Sequence, residues 1–326
     1  MRDEPKDLPC AALAEVLRRH WNMAVAAIEY APVGAGSYHW LAEGAGGRKW
    51  FVTADALEGR RTRIRRRPDA LYADLTGAYG TAAALRADGL DFVVAPVPAR
   101  TGELVVRALP RWAVAVFPYV EGKPVGQGHW ADPGECACAA ELVGQLHAAR
   151  PPASVRRWSV DIPRREGYQK AFAEIDRTWA SGPYGERTRT HLASSRDRVE
   201  GWFSRYDRLA EEESNDTESW VVTHGEPHSG NFIAGSDGAF HLIDWDTVRL
   251  APRERDLALL ATDDPAVLAA YQRGAAAYVP SAAMMELYSL RWALSEICEY
   301  VTRFHAPHGD GPDDRASWEE LAEYLQ

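Results

Sequence analysis

The chain has 326 residues, 46% of them hydrophobic and 26% charged, with a formal net charge of −10 at pH 7. That profile is one of an ordinary globular chain able to bury a substantial core, and the acidic balance opposes general nucleic-acid binding while suiting a small cationic substrate. No apolar run approaches the roughly 18–20 residues of a membrane span, and the start Met1-Arg2-Asp3-Glu4-Pro5 lacks a signal-peptide stretch. The four cysteines, Cys10, Cys136, Cys138 and Cys298, read as inert thiols. A cytoplasmic protein without membrane contacts, monomeric or weakly dimeric, is expected.

Residues 11–21 place apolar side chains at helical spacing and predict an amphipathic helix. Ile28 to Val33 and Lys49-Trp50-Phe51-Val52-Thr53 read as strands of an antiparallel sheet, with Gly34-Ala35-Gly36-Ser37 after the first and Gly44-Ala45-Gly46-Gly47 as a hairpin turn. An arginine-dense loop, Arg60 to Arg67, precedes Pro68-Asp69, which opens a helix carrying Leu71, Leu75, Ala78, Ala82 and Leu85 on one face. Leu104 to Leu109 and Trp112 to Val120 complete the strands of the first half.

The pattern then becomes helical, with helices predicted over Glu135 to Ala149, Glu166 to Trp179, Arg187 to Glu213, Pro265 to Tyr278 and Ser281 to Phe304. Three short β-like runs interrupt it, at residues 220–223, 232–234 and 240–243. The expected fold is α+β and two-lobed: an N-terminal antiparallel sheet with one main helix over residues 1–121, and a larger, mostly helical lobe over 122–326.

The chemistry concentrates in the interruption. Phosphoryl transfer asks of a protein one carboxylate to orient the attacking hydroxyl and oxygen ligands to hold magnesium against the nucleotide phosphates. Glu226 lies five residues before the amide of Asn231, and a second carboxylate, Asp244, ends the following hairpin. Asn231 with Asp244 is a sensible pair for a hard cation. His224 and His228 offer an alternative metal pair at i and i+4, but Pro227 disfavours the helix that geometry needs.

The run Val222-Thr223-His224-Gly225-Glu226-Pro227-His228-Ser229-Gly230-Asn231, followed by Leu242-Ile243-Asp244-Trp245-Asp246, resembles the catalytic and metal-binding loops of the aminoglycoside phosphotransferase family. The continuation Leu250-Ala251-Pro252-Arg253-Glu254-Arg255-Asp256-Leu257 resembles its spectinomycin phosphotransferase branch. The resemblance implies a protein-kinase-like fold, ATP or GTP with Mg²⁺, and transfer to a hydroxyl of a cationic antibiotic. It places Glu226 in the base position with His224 beside it among the catalytic residues, and Asn231 and Asp244 on the metal. The family pattern has Asp where this chain has Glu226. Arg255 and Asp256 read as a brace behind the loop.

Gly34, Gly36 and Ser37 would bring backbone N–H groups to the nucleotide phosphates, although a short Gly-x-Gly is equally a hairpin turn. The lysine that a kinase fold carries on its third strand is replaced by Thr53, and the helix after it contains no glutamate partner. Lys49, on the same strand face as Thr53, is a candidate substitute, and the arginine cluster a second. Phe117 and Tyr119 occupy the place of the inter-lobe hinge. For the acceptor, Trp292, Glu296 and Tyr300 share a helix face beside Glu299, and Asp263 follows the catalytic region with Asp264; these residues read equally as core and solvent-facing positions. Two further readings stand beside an antibiotic kinase: a kinase of choline, a sugar or an amino alcohol, and a nucleotide-binding protein without activity.

Overall fold

The computed structural model describes residues 1–34, 36–58, 68–213 and 218–326, so the whole Arg60 to Arg67 cluster, and with it the expectation that it could serve the phosphates, lies outside the described residues. After helix α1 (Cys10–Trp21), strands β1 (Val25–Ala31), β2 (Tyr38–Gly44) and β3 (Lys49–Ala56) lead to helix α2 (Pro68–Ala87), then to β4 (Val106–Ala108) and β5 (Trp112–Pro118). These strands form one antiparallel sheet in the order β1-β2-β3-β5-β4. Strand alternation sorts its two faces. Trp40, Ala42, Val52, Ala54, Val114 and Val116 pack with Leu13 and Leu17 of α1, whereas Ala113, Ala115 and Phe117 meet Leu75, Tyr79 and Ala82 of α2.

Beyond the hinge, β6 (Gly122–Pro124) pairs with β8 (Phe232–Gly235), which pairs with β9 (Phe240–Leu242); β7 (Val221–Thr223) pairs with β10 (Arg249–Ala251). Helices surround these strands: α3 (Pro133–Ala148), α4 (Arg165–Ala173), α5 (Gly185–Ser194), α6 (Arg196–Glu213), α7 (Glu254–Leu257), α8 (Pro265–Gly274), α9 (Ala282–His305) and α10 (Pro312–Leu325). Helices α3 and α8 abut so closely that a Cβ on Gly144 would lie 2.3 Å from the Tyr271 carbonyl oxygen, and one on Gly274 2.1 Å from that of Glu141. A second core, from α4, α5, α6, α9 and α10, supports the far side of the lobe. No helix among the described residues is long and apolar enough to cross a membrane, and all four cysteines are free thiols.

Some helices differ from expectation. The helix predicted over 187–213 is two helices, because Ser194 and Ser195 both donate their hydroxyls back to the His191 carbonyl, competing with the helical ladder. The one predicted over 166–179 stops at Ala173, where the Trp179 indole donates to the Glu174 carbonyl at 3.1 Å. Helix α10 was not predicted at all.

Candidate active site

The loop joining β7 to β8 is fixed from behind. The Asp256 carboxylate accepts the backbone N–H groups of His224 at 2.7 Å and Gly225 at 2.6 Å, and its Oδ2 lies 3.1 Å from Nε2 of His147. Burial pushes the Asp256 carboxyl up, but the His147 hydrogen bond and the nearby Arg255 charge outweigh it and hold the group below its ordinary range. Arg255, driven down to about 10 by burial and still a cation, donates to Thr223 Oγ1 and to the Thr247 carbonyl, each at 2.8 Å. Gly225 must be glycine. Its φ is +101°, and an added Cβ would sit 2.0 Å from the Arg255 guanidinium. The expected brace of Arg255 and Asp256 is therefore what the loop rests on.

His224 is fully buried against this brace. Its Nδ1 accepts the Glu226 N–H at 3.3 Å and its Nε2 donates to the Ile243 carbonyl at 2.9 Å, which fixes one neutral tautomer. It positions Glu226 and tethers the strand that ends at Asp244; it does not line the cleft, so the expectation that it takes part directly in the chemistry is corrected to one of support. The i, i+4 metal pair that Pro227 disfavours is not formed: His228 lines the cleft with Nε2 3.4 Å from Asn231 Nδ2, and His224 does not line it. Among the described residues no three His, Cys, Asp or Glu side chains form a metal cluster.

Burial holds His224 down to about 4, against an ordinary 6.5. Between those values the unfolded chain takes a proton that the folded chain refuses, so stability falls as pH drops from 6.5 towards 4, by up to about 1.4 kcal/mol per pH unit for one group. Urea midpoints measured at pH 7 and pH 5 are expected to show that loss, and His224→Gln to start lower at pH 7 but to lose less between the two.

Asn231 donates its amide nitrogen to the Glu226 carbonyl at 2.9 Å, leaving the amide oxygen as its remaining ligand atom, and its own carbonyl accepts the Ile243 N–H at 3.0 Å. That bond holds the end of β9 beside the loop. Asp244 follows in a left-handed conformation, φ 65° and ψ 61°, which turns its carboxylate out of the strand and into the cleft. An amide oxygen and a carboxylate on one wall fit a hard divalent cation.

The cleft has a volume of about 1790 Å³ and brings Glu226, Asn231 and Asp244 together with Gly34 and Gly36 of the glycine-rich loop. Trp292, Glu296, Glu299 and Tyr300 of α9 line the same cleft, the Trp292 ring 6.3 Å from that of His228. Asp263 does not. It is exposed ahead of α8, whose first turn is capped by Asp264, and it sits with Asp264 near Cys136 of α3. Sequence reading missed the rest of this lining. Helix α10 adds Glu320, Glu323 and Tyr324, with the Trp292 indole donating to the Tyr324 hydroxyl at 3.0 Å and the Tyr300 hydroxyl bonded to Glu320. Pro312-Asp313-Asp314 is a legible helix start, with proline at the first position and acids in the first turn. In all, eight carboxylates and three arginines line the cleft.

The nucleotide side departs further from expectation. Lys49 lies four residues from Thr53, about 13 Å along an extended strand, and its ammonium stands 5.8 Å from the Tyr119 ring at the hinge end. It is at the wrong end of β3 to replace a phosphate-binding lysine beside the glycine-rich loop. Tyr119 also gives its backbone N–H to the Lys49 carbonyl, and Phe117 is buried edge-on against Tyr79 at 5.3 Å. Thr53 is buried and bonded to His39 at 3.2 Å. At the loop end of β3 stands an acid, Asp55, which accepts the Ser37 hydroxyl at 2.5 Å; burial raises its carboxyl to about 6. The one acid buried on α2, Asp74, is bonded to Arg156 and not to β3.

Residues 39–287 match the phosphotransferase enzyme family. Protein StrN of Streptomyces griseus is 32% identical over 266 residues, 76% of this chain and 76% of its own length. Among solved structures, spectinomycin phosphotransferase in complex with ADP and spectinomycin superposes with a TM-score of 0.75 at 16% identity, covering 96% of this chain and 93% of that one. A microcompartment-associated aminopropanol kinase gives a TM-score of 0.60 at 16% identity, covering 97% and 94%. The fold is thus the two-lobed kinase-like α+β arrangement.

Proposed function

The chain belongs to the phosphotransferase enzyme family, and we propose that it transfers the γ-phosphoryl group of ATP or GTP to a hydroxyl of a cationic aminocyclitol or aminoglycoside, spectinomycin being the first acceptor to test. One observation supports this reading: a single cleft is lined by Glu226, Asn231 and Asp244 together with the aromatic rings and carboxylates of α9 and α10. Carboxylates attract protonated amines, and the flat rings of Trp292 and Tyr300 suit the apolar faces of a cyclitol.

In this reading Glu226 takes the proton of the acceptor hydroxyl as its oxygen forms a bond to the γ-phosphorus and the bond to the leaving diphosphate breaks. Asn231 and Asp244 would hold the divalent cation, which when bound supplies charge neutralisation at the phosphates. Glu296 and Glu299 orient the acceptor; Arg164, ion-paired with Glu299 at 2.5 Å, holds the latter in place. The Gly34 to Ser37 loop takes the phosphates, and Phe117 to Tyr119 the base, across a lobe boundary near residue 121. A soluble cytoplasmic enzyme acting on a small substrate, without nucleic-acid or membrane partners, completes the proposal.

The test is a mass measurement. Incubation with Mg²⁺ and ATP or GTP is expected to add one phosphoryl group to spectinomycin or to another aminoglycoside of a panel. Phosphorylation of choline or an amino alcohol alone would move the acceptor class, and nucleotide binding with no product on any acceptor would leave a binding protein.

A further inference from the structure

Residues 1–3 cross the mouth of the cleft as a strap between the lobes. On the N-terminal lobe, the Met1 nitrogen donates to the carbonyls of Val33, Gly34 and Ser37 at 2.8–3.1 Å, and the Tyr30 hydroxyl donates to the carbonyls of Met1 at 2.6 Å and Asp3 at 3.1 Å. On the C-terminal lobe, the Asp313 carboxylate at the start of α10 accepts the backbone N–H groups of Arg2 at 2.6 Å and Asp3 at 3.3 Å. The strap's backbone is thus held at both ends. The Arg2 side chain is not: it is exposed in the cleft, one residue, about 3.8 Å of backbone, from the atom that touches the glycine-rich loop.

The other two arginines of the cleft are already committed, Arg164 to Glu299 and Arg303 to Asp314 at 2.7 Å. Arg2 engages no side chain among the described residues. Meanwhile the strand position that should offer a cation to the phosphates holds Thr53, and the loop end of β3 adds the acid Asp55. A nucleotide in this cleft brings three or four negative charges beside a loop that lacks a strand lysine.

Building on the phosphotransferase reading, we infer that Arg2 is a nucleotide-binding residue. Carried on a strap that Asp313 and Tyr30 position, its guanidinium binds the β- and γ-phosphates in place of the strand lysine. A planar fork matches phosphate oxygens two at a time, which a lysine does not. Asp313 and Tyr30 are positioning residues.

Calorimetric titrations with MgADP and with adenosine separate this role from a structural one. Arg2→Gln is expected to weaken MgADP binding about 10-fold or more, the size of a lost charge-assisted hydrogen bond, while leaving adenosine affinity and the thermal midpoint unchanged. Arg2→Lys should recover part of the loss. Asp313→Ala, which releases the strap without altering Arg2, should reproduce it, and so should Tyr30→Phe, acting from the other lobe. Unchanged MgADP affinity in Arg2→Gln overturns the inference, as does an equal loss for adenosine. If the unaltered protein bound adenosine but not MgADP, the assignment of Arg2 would fail while a nucleoside site remained; if it bound neither, the phosphotransferase reading would fall as well.

Discussion

Glu226→Gln is expected to lower the single-turnover rate by about 10²–10⁴-fold, the range for removing a positioned general base, with a thermal midpoint close to that of the unaltered protein. The reason lies in how the residue is held. Its N–H is bound to His224 Nδ1 and its carbonyl to Asn231 Nδ2, so the backbone at this position is immobile and the side chain alone reaches the cleft. The residue is half-buried, whereas Asp256 below it is fully buried. The more informative variant is Glu226→Asp, which creates the residue typical of the family. With the backbone fixed, shortening the side chain by one methylene withdraws the carboxylate by about 1 Å, and a misplacement of that size costs on the order of 100-fold. A cleft built around the longer side chain loses activity in Glu226→Asp; a damaged enzyme gains it. Full single-turnover activity in Glu226→Gln would remove the residue from the mechanism.

Much of this site was legible in the sequence because its determinants are local. The run from His224 to Asn231 and the carboxylate at Asp244 are short-range patterns, and the β-like runs at 232–234 and 240–243 mark the hairpin that sets Asn231 and Asp244 side by side. The face of α9 that lines the cleft was legible for the same reason, since spacing of three and four residues is a property of one helix. What failed needed register or distance. Strand parity put Lys49 on the correct face, but parity does not say which end of β3 meets the glycine-rich loop; only the pairing of Tyr38 with Ala54 and of Glu43 with Lys49 does. Asp263 was close to the catalytic region in sequence and is turned away from it in space. The strap is beyond local reading altogether, because Arg2 and Asp313 are 311 residues apart.

Asp256→Ala is expected to be the most damaging single substitution for folding, at about 3–5 kcal/mol, the cost of removing one partner from a buried charged network. Three donors converge on this fully buried carboxylate: two backbone N–H groups of the catalytic loop and the His147 ring. Alanine leaves all of them without an acceptor in the interior, and leaves the half-buried Arg255 cation without its adjacent counter-charge. Asp256→Asn separates the two costs. An amide keeps one oxygen for a backbone donor, but presents N–H groups where a second acceptor is required, so it should recover part of the folding energy and little of the loop's order. Urea unfolding gives the first quantity, and amide hydrogen exchange at residues 224–226 the second. The expected result is faster exchange of the His224 and Gly225 amides in both variants, and an activity loss in Asp256→Asn larger than its stability loss accounts for. Unchanged exchange there would mean that Arg255, through Thr223 and Thr247, suffices to hold the loop. The order of effects follows from the layering of the site: Glu226 acts on substrate in the proposed mechanism, His224 holds Glu226, and Asp256 holds the backbone of His224, so loss of the deepest member removes both layers above it.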